Sequence, residues 1–194
     1  MTSSSERGFT LLETLVSVAV FSVAASVLAS MVIDGAKLTK TEQMTITAQS
    51  DARNCVSLIE QALRTAGWDP RNAGFSGVQL QSPAQAASNW IEVFADLDEN
   101  STTLSDREDV TIRLNGTTLE WKKSTGGAFE VLSPNITNDA DGNGVPELMF
   151  TPDSVSNPKR ITVKVTARSP VPDPRTGQYV RATISTDVVL RGRL

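Results

Sequence analysis

An apolar segment near the N-terminus constrains the fold of this chain more than any other feature. Residues 14–33 form a run of about 20 positions without a charged side chain, which is the length of a helix that crosses the hydrocarbon core of a bilayer. Counting from Phe9 lengthens the segment to about 25 residues, or about 37 Å at 1.5 Å per helical residue. The sequence therefore predicts a membrane-spanning helix.

A single carboxylate lies inside this apolar segment. Glu13 follows Phe9-Thr10-Leu11-Leu12 and precedes the uncharged run, and an unpaired acid costs roughly 3 kcal/mol or more in hydrocarbon. A secretory signal peptide cut after Ala29 and a simple membrane anchor are two explanations of an N-terminal apolar segment. Neither of them needs an acid at this position, so Glu13 indicates a further role for the segment.

The residues around Glu13 resemble a known export signal. Arg7-Gly8-Phe9-Thr10-Leu11-Leu12-Glu13 is similar to the type III signal of type IV prepilins and pseudopilins. The resemblance implies that residues 1–8 are a leader, that prepilin peptidase cuts between Gly8 and Phe9, and that Phe9 is then N-methylated. It also implies that Glu13 pairs with the new amine of a neighbouring subunit during assembly, because a buried charge is tolerable only when it is paired.

The helical pattern continues beyond residues 9–34 but becomes amphipathic. Apolar residues recur at spacings of three and four within residues 35–67, which predicts a helix with one buried face. Gly67 and then Pro70 end this pattern. The predicted apolar face consists of Ala48, Ala52, Cys55, Val56, Ile59, Ala62, Leu63 and Ala66.

The second half of the chain has the pattern of an antiparallel sheet. Residues 68–89 are rich in Gly, Ser, Pro, Gln and Ala, and we expect them to form a connecting loop. From residue 90 onward alternating apolar and polar residues predict strands, and Asn115-Gly116 suits the type I′ turn of a hairpin. We expect residues 90–194 to form a sheet that packs on the apolar helix face, which is an α+β fold. The predicted strands cover residues 90–94, 110–114, 117–122, 129–132, 148–151, 160–167 and 180–190.

This predicted organisation extends the resemblance. A long helix, half apolar and half amphipathic, followed by an antiparallel sheet is similar to the pilin architecture. Residues 63–68, at the predicted end of the helix, resemble the corresponding part of PilW-type minor pilins, and residues 188–192 are similar to both those proteins and J-type minor pseudopilins. Many major pilins have a C-terminal disulfide and a proline within the helix, whereas this chain has the single Cys55 and no proline in residues 9–66.

The resemblance implies a minor pilin with a single-pass precursor in the inner membrane and its C-terminal domain in the periplasm. Such a subunit would join major and minor pilins at an inner-membrane assembly platform and reach the cell surface in a type IV pilus. There it would prime assembly or lie at the tip. A minor pseudopilin of a type II secretion system is the alternative in the same class. A membrane-anchored adhesive or calcium-binding domain that does not polymerise is the alternative from another class.

A second motif lies between two predicted strands. Acidic and amide side chains at alternate positions of residues 139–147 are typical of a calcium loop, with a glycine at the sixth position for the sharp turn. The twelfth position is Phe150 instead of a bidentate acid, so two interpretations stay open, a structural calcium site and a Gly-rich acidic turn. Residues 96–100 begin similarly without the glycine, and we expect a solvated turn there. The predicted calcium ligands are Asp139, Asp141, Asn143, Val145 (through its carbonyl) and Glu147.

The composition argues against catalysis. The chain has 194 residues, one Cys and no His, which excludes His-based catalytic triads and cysteine-rich zinc sites. No Gly-rich phosphate loop follows a predicted strand. We therefore expect a protein that is not an enzyme and that requires no cofactor, with calcium as the one ligand the sequence suggests.

The charge is unevenly distributed along the chain. The formal net charge is −4, acids dominate between Glu92 and Asp153, and eight Lys or Arg residues stand against two Asp residues from Lys159 to Leu194. A basic stretch of this kind can bind DNA phosphates. A solvated strand face, or a contact with the acidic middle of a neighbouring subunit, is the more common use. DNA is therefore not an expected partner.

Overall fold

The computed structural model describes residues 9–80, 88–103, 108–124, 126–155 and 158–190. One long helix, α1 (Leu11–Thr65), is followed in these residues by eight strands. This order confirms the predicted α+β fold, and the proposed leader with Gly8 lies outside the described residues. The strands are β1 (Val78–Leu80), β2 (Trp90–Phe94), β3 (Asp109–Asn115), β4 (Thr118–Lys122), β5 (Glu130–Pro134), β6 (Phe150–Pro152), β7 (Arg160–Arg168) and β8 (Arg181–Val189).

Helix α1 is continuous for 55 residues and passes through Gly35 without a break. Thr10 caps its start, since its side-chain oxygen accepts a hydrogen bond from the backbone N–H of Glu13 at 3.3 Å, as an N-cap residue does. The helix ends at Thr65, and Gly67 follows with a φ of 74°, a backbone conformation that glycine adopts at little cost.

The two parts of α1 have different surroundings. All residues from Phe9 to Ala36 are exposed, whereas buried positions start at Met44. An 18-residue window in the exposed part has a mean hydropathy of 2.3, so this part is long and apolar enough to cross a membrane. The buried residues of the later part confirm the predicted apolar face. Met44 is buried in addition to the predicted residues, and the predicted Ala62 is only partly buried. The buried residues of this part of α1 are Met44, Ala48, Ala52, Cys55, Val56, Ile59 and Leu63.

All strand pairs in the described residues are antiparallel, as predicted. One sheet has the order β1-β2-β3-β4-β5 and the other the order β6-β7-β8. Two isolated bridges, Ser88 to Phe150 and Ile136 to Ala167, join the sheets. Alternate residues of β7 from Ile161 to Ala167 are fully buried and face the core against α1, which explains the alternation seen in the sequence.

Two local predictions were wrong. The predicted connecting loop of residues 68–89 contains β1, which pairs with residues 91–93 of β2. The hairpin between β3 and β4 pairs Asn115 with Thr118, so its central residues are Gly116 and Thr117, and of these only Gly116 has a positive φ, 60°. A positive φ at the first central position alone is the pattern of a type II′ turn, not of the type I′ turn that we predicted.

The orientation of β7 and β8 relative to α1 defines two ends of the domain. The Thr41 hydroxyl donates to Asp173 Oδ1 at 2.7 Å, so the loop between β7 and β8 lies beside the part of α1 nearest the apolar segment. The other end of β8, at Val189, lines a cleft together with Glu60 and Arg64 of α1. We call the first the proximal end and the second the distal end of the domain.

Candidate functional site

The apolar half of α1 presents exposed apolar side chains along its whole length. Phe9 is 78% exposed and Phe21 is 73% exposed, and the other apolar side chains of this half are also exposed. A contiguous apolar surface of this size is unfavourable in water and marks a contact with lipid or with other chains. This half of the helix therefore has to be covered by a membrane, by other subunits, or by each in turn.

Glu13 lies in the first turn of this apolar helix. Its backbone N–H is held by Thr10, while its side chain is exposed. Within the described part of the chain no Lys or Arg forms a salt bridge with its carboxylate. The helix dipole favours an acid in the first turn, but in an apolar environment this carboxylate needs a cation from another molecule.

The hydroxyl groups in the apolar half bond to the helix itself. Ser22 Oγ donates to Val18 O at 2.8 Å, Ser26 Oγ to Ser22 O at 2.8 Å, and Ser30 Oγ to Val27 O at 2.8 Å. The polar groups are therefore satisfied before the helix meets lipid or another helix. These serines are four residues apart, so they form one stripe of small side chains along which a second helix can approach closely.

The comparison with protein families bears on this same segment. The model of the prokaryotic N-terminal methylation motif matches residues 3–29. The N-terminal segment is therefore similar to that of type IV pilins and pseudopilins. A motif of this kind implies processing by prepilin peptidase, membrane anchoring and assembly with other pilin subunits. No curated protein and no solved structure gives a significant match.

The predicted calcium loop of this pilin-like chain has the expected backbone shape. Asp139 Oδ1 accepts the N–H of Gly142 at 2.8 Å, and its Oδ2 accepts the N–H of Gly144 at 3.1 Å. Asn143 Oδ1 accepts the N–H of Val145 at 2.7 Å. Gly144 has a φ of 84°, which fits the sharp turn at the sixth position of a calcium loop.

Basic side chains accompany the acids of this loop. Arg181 Nη2 lies 3.8 Å from Asp139 Oδ2, and Lys164 forms a salt bridge with Glu147. Burial opposes ionisation of Asp139, yet the N–H of Gly144 and the Arg181 guanidinium, among other partners, lower its pKa. A calcium ion would have to replace Arg181 and Lys164 at these two carboxylates, and the calcium site stays a prediction.

Residues 96–101 form a second acidic loop, whose first five residues begin like the calcium-type loop in the sequence. Residues 97–100 are exposed, as expected for a solvated turn, whereas Asp96 is fully buried, which the expectation did not include. Its Oδ1 accepts the N–H of Asn100 at 2.9 Å and its Oδ2 that of Ser101 at 3.0 Å. Ser101 has a φ of 68° and occupies the position that Gly144 holds in the other loop. The shared Asp-x-Asp-x-Asn spacing was the available signal.

Glu108, which precedes β3, completes this second cluster. Its Oε1 accepts the N–H of Leu97 at 2.7 Å and of Asp98 at 2.9 Å. Carboxylate oxygens of Asp96, Asp98 and Glu108 lie within 4.8 Å of one another, a donor set of the kind that hard divalent cations use. The sequence could not predict this cluster, because Glu108 is brought to it by the pairing of β2 with β3.

Four basic side chains in the described part of the C-terminal stretch, residues 159–190, have partners within the chain. Arg160 lies 3.8 Å from Asp187, and Lys164 and Arg181 contact the calcium-type loop. The Arg168 guanidinium stacks on the ring of Tyr179, 4.5 Å from its centroid.

Proposed function

We propose that this chain is a minor pilin of a type IV pilus. The observation that carries the proposal is the match of residues 3–29 to the methylation motif, joined to an apolar helix whose described side chains are all exposed. Prepilin peptidase would cut between Gly8 and Phe9 and methylate Phe9. The precursor would span the inner membrane once, with its domain in the periplasm, before the assembly platform extracts it.

Glu13 has a defined role in this proposal. Cleavage gives Phe9 a charged amine, and each such amine is unfavourable in the apolar interior of a filament unless an anion accompanies it. When Glu13 of one subunit pairs with the Phe9 amine of its neighbour, neither charge is left unpaired in the apolar interior. The pair therefore selects one axial register, since a subunit displaced along the filament axis would leave two unpaired charges in an apolar environment.

The rest of α1 supports the same role. The stripe of Ser22, Ser26 and Ser30 allows neighbouring helices to approach closely, and the later half of α1 is buried against both sheets. Helices in the filament centre would thus hold each domain at a fixed orientation on the surface. The subunit would prime assembly or lie at the tip, where the domain is free to contact other cells or surfaces.

Two alternatives are kept. A minor pseudopilin of a type II secretion system would use the same processing site and the same Glu13 pairing in a periplasmic filament. A membrane-anchored adhesive or calcium-binding domain would use α1 only as an anchor. The lack of a proline in residues 9–66 and the single Cys55 favour a minor subunit over a major pilin in either filament.

The test of the proposal replaces Glu13 by Ala or Gln and follows membrane insertion and assembly separately. We expect both variants to stay in the membrane fraction and to be lost from sheared pili, as measured by immunogold labelling and immunoblots. Glu42→Ala is the matched control, because Glu42 is an exposed acid on the same helix outside the apolar segment. It should be incorporated like the wild type.

Each outcome distinguishes one interpretation. Incorporation of Glu13→Ala at the wild-type level would refute the pairing role. Wild-type protein that is never found in sheared fibres would refute the pilus assignment. Labelling of fibres that depends on the type II secretion assembly ATPase, and not on the pilus ATPase, would identify the pseudopilin alternative.

A further inference from the structure

The loop between β7 and β8, residues 169–180, is fixed to α1 at the proximal end of the domain. Asp173 is buried, its Oδ1 accepts the Thr41 hydroxyl at 2.7 Å, and its Oδ2 accepts the Thr176 hydroxyl at 3.1 Å. The N–H of Asp173 also donates to Gln178 O at 2.8 Å. The position of the loop along the axis of α1 is therefore set by the contact with Thr41.

This position along the helix axis places the loop close to the membrane when the apolar half of α1 spans it. Thr41 is eight residues beyond Ile33, the last residue of the apolar run, which is about 12 Å along the helix axis. The headgroup layer extends roughly 5–8 Å beyond the hydrocarbon core on each side. At the level of Thr41 the loop is therefore within about 4–7 Å of this layer.

The backbone of the loop is adapted to an environment with little water. Pro170, Pro172 and Pro174 have no backbone N–H, and the Val171 carbonyl already accepts the Ser169 hydroxyl at 2.7 Å. The N–H of Asp173 is paired as well. Few donors would thus lose hydrogen bonds to water in the headgroup layer, which keeps the desolvation cost low.

The exposed side chains of the loop combine an apolar and a basic group. Val171 is 45% exposed, and Arg175 is exposed two residues after the buried Asp173. Lys40 of α1 is exposed one residue before Thr41, whereas Asp34 and Lys37 form a salt bridge at 3.9 Å. Lys40 and the exposed Glu42 carry opposite charges on either side of Thr41, so the exposed charge of the loop itself is that of Arg175, a cation that suits contact with lipid phosphates.

We propose that the loop of residues 169–180 lies in the phospholipid headgroup layer while the precursor is in the membrane, with Val171 at the acyl boundary and Arg175 at a lipid phosphate. The inference rests on the membrane-inserted precursor of the proposed function. It gives the domain a second contact with the bilayer, so extraction of the subunit into a filament must break this contact as well as remove the helix.

The test uses the full chain in vesicles of phosphatidylethanolamine and phosphatidylglycerol. Val171→Cys and, separately, Leu97→Cys are labelled with a fluorophore and quenched by a nitroxide on the lipid headgroup. Leu97 is the matched control, because it is 43% exposed and lines a cleft with Thr65, about 36 Å along the helix from Thr41. The natural Cys55 is buried, so it should not compete for the label.

We expect quenching at Val171 to be several-fold stronger than at Leu97. Arg175→Glu should reduce quenching at Val171 by about twofold or more, because it replaces a cation that anionic headgroups attract by an anion that they repel. Arg71→Glu, the same charge reversal at an exposed residue beyond the distal end of α1, should have no effect.

Equal quenching at Val171 and Leu97 would overturn the inference, and an Arg175→Glu variant with unchanged quenching would overturn the phosphate contact. Extraction with alkaline carbonate tests membrane insertion separately, so that failure of the loop contact can be told apart from failure of the proposed function. Protein that is removed from the vesicles by carbonate is not inserted, and this result would refute the membrane-inserted precursor itself.

Discussion

The burial of Ile59 gives the most quantitative prediction about how α1 holds the domain. Ile59 is fully buried between α1 and the sheets, whereas Leu58, its neighbour in sequence, is 39% exposed. Ile59→Ala removes three carbon groups at about 0.8 kcal/mol each and leaves a cavity that adds to the loss. We expect Ile59→Ala to lower the free energy of unfolding by about 3 kcal/mol. Leu58→Ala should lower it by less than about 1 kcal/mol.

Urea denaturation of the full chain in detergent micelles measures this difference. Its three tryptophans, Trp68, Trp90 and Trp121, all follow α1 in sequence, so their fluorescence reports unfolding of the domain. With a slope of about 1.5 kcal/mol per molar urea, the midpoint of Ile59→Ala should fall by about 2 M. Equal midpoints for Ile59→Ala and Leu58→Ala would refute the assignment of this helix face to the core.

Two further predictions concern the loops. The N–H of Arg175 and the Thr41 hydroxyl lower the pKa of Asp173 in the folded state. The ionised carboxylate therefore stabilises the fold, and this stabilisation is fully present at any pH above the pKa that Asp173 has in the unfolded chain. It is lost as the pH falls through the lower pKa of the folded state. The melting temperature of Asp173→Asn should therefore be below that of the wild type near neutral pH and converge with it in acid, and a constant difference would contradict this. A calcium ion in the loop of residues 139–147 should raise the melting temperature in calcium over that in EDTA, and Asp141→Ala should abolish the rise. An unchanged melting temperature would remove the site, and a rise that survives Asp141→Ala would assign calcium to the cluster of Asp96, Asp98 and Glu108.

Local patterns in the sequence were enough to predict α1 and most strands. The apolar face of residues 48–66 follows the helical period, and the alternation in β7 follows the strand period, so burial could be inferred without knowing the partner. The short strand β1 was missed because the three residues that follow Gly77 carry too little pattern. The hairpin turn was assigned wrongly because Asn115 pairs with Thr118 in the ladder instead of occupying the turn.

The chemistry of the two acidic loops was harder to predict, because their neighbours come from elsewhere in the chain. The shape of residues 139–147 is set by hydrogen bonds between side chains and nearby N–H groups, which the spacing of the residues predicted. Arg181 and Lys164, by contrast, reach this loop from β8 and β7. The same holds for Asp96, whose burial depends on strands that the local sequence does not specify.

The N-terminus of the mature protein tests the central claim most directly. Intact mass and N-terminal sequencing of the protein isolated from membranes would identify the first residue and its modification. We expect a chain that begins with Phe9 and carries one methyl group on its amine. A chain that still begins at Met1, or that begins at Ser30 after cleavage by signal peptidase, would contradict it.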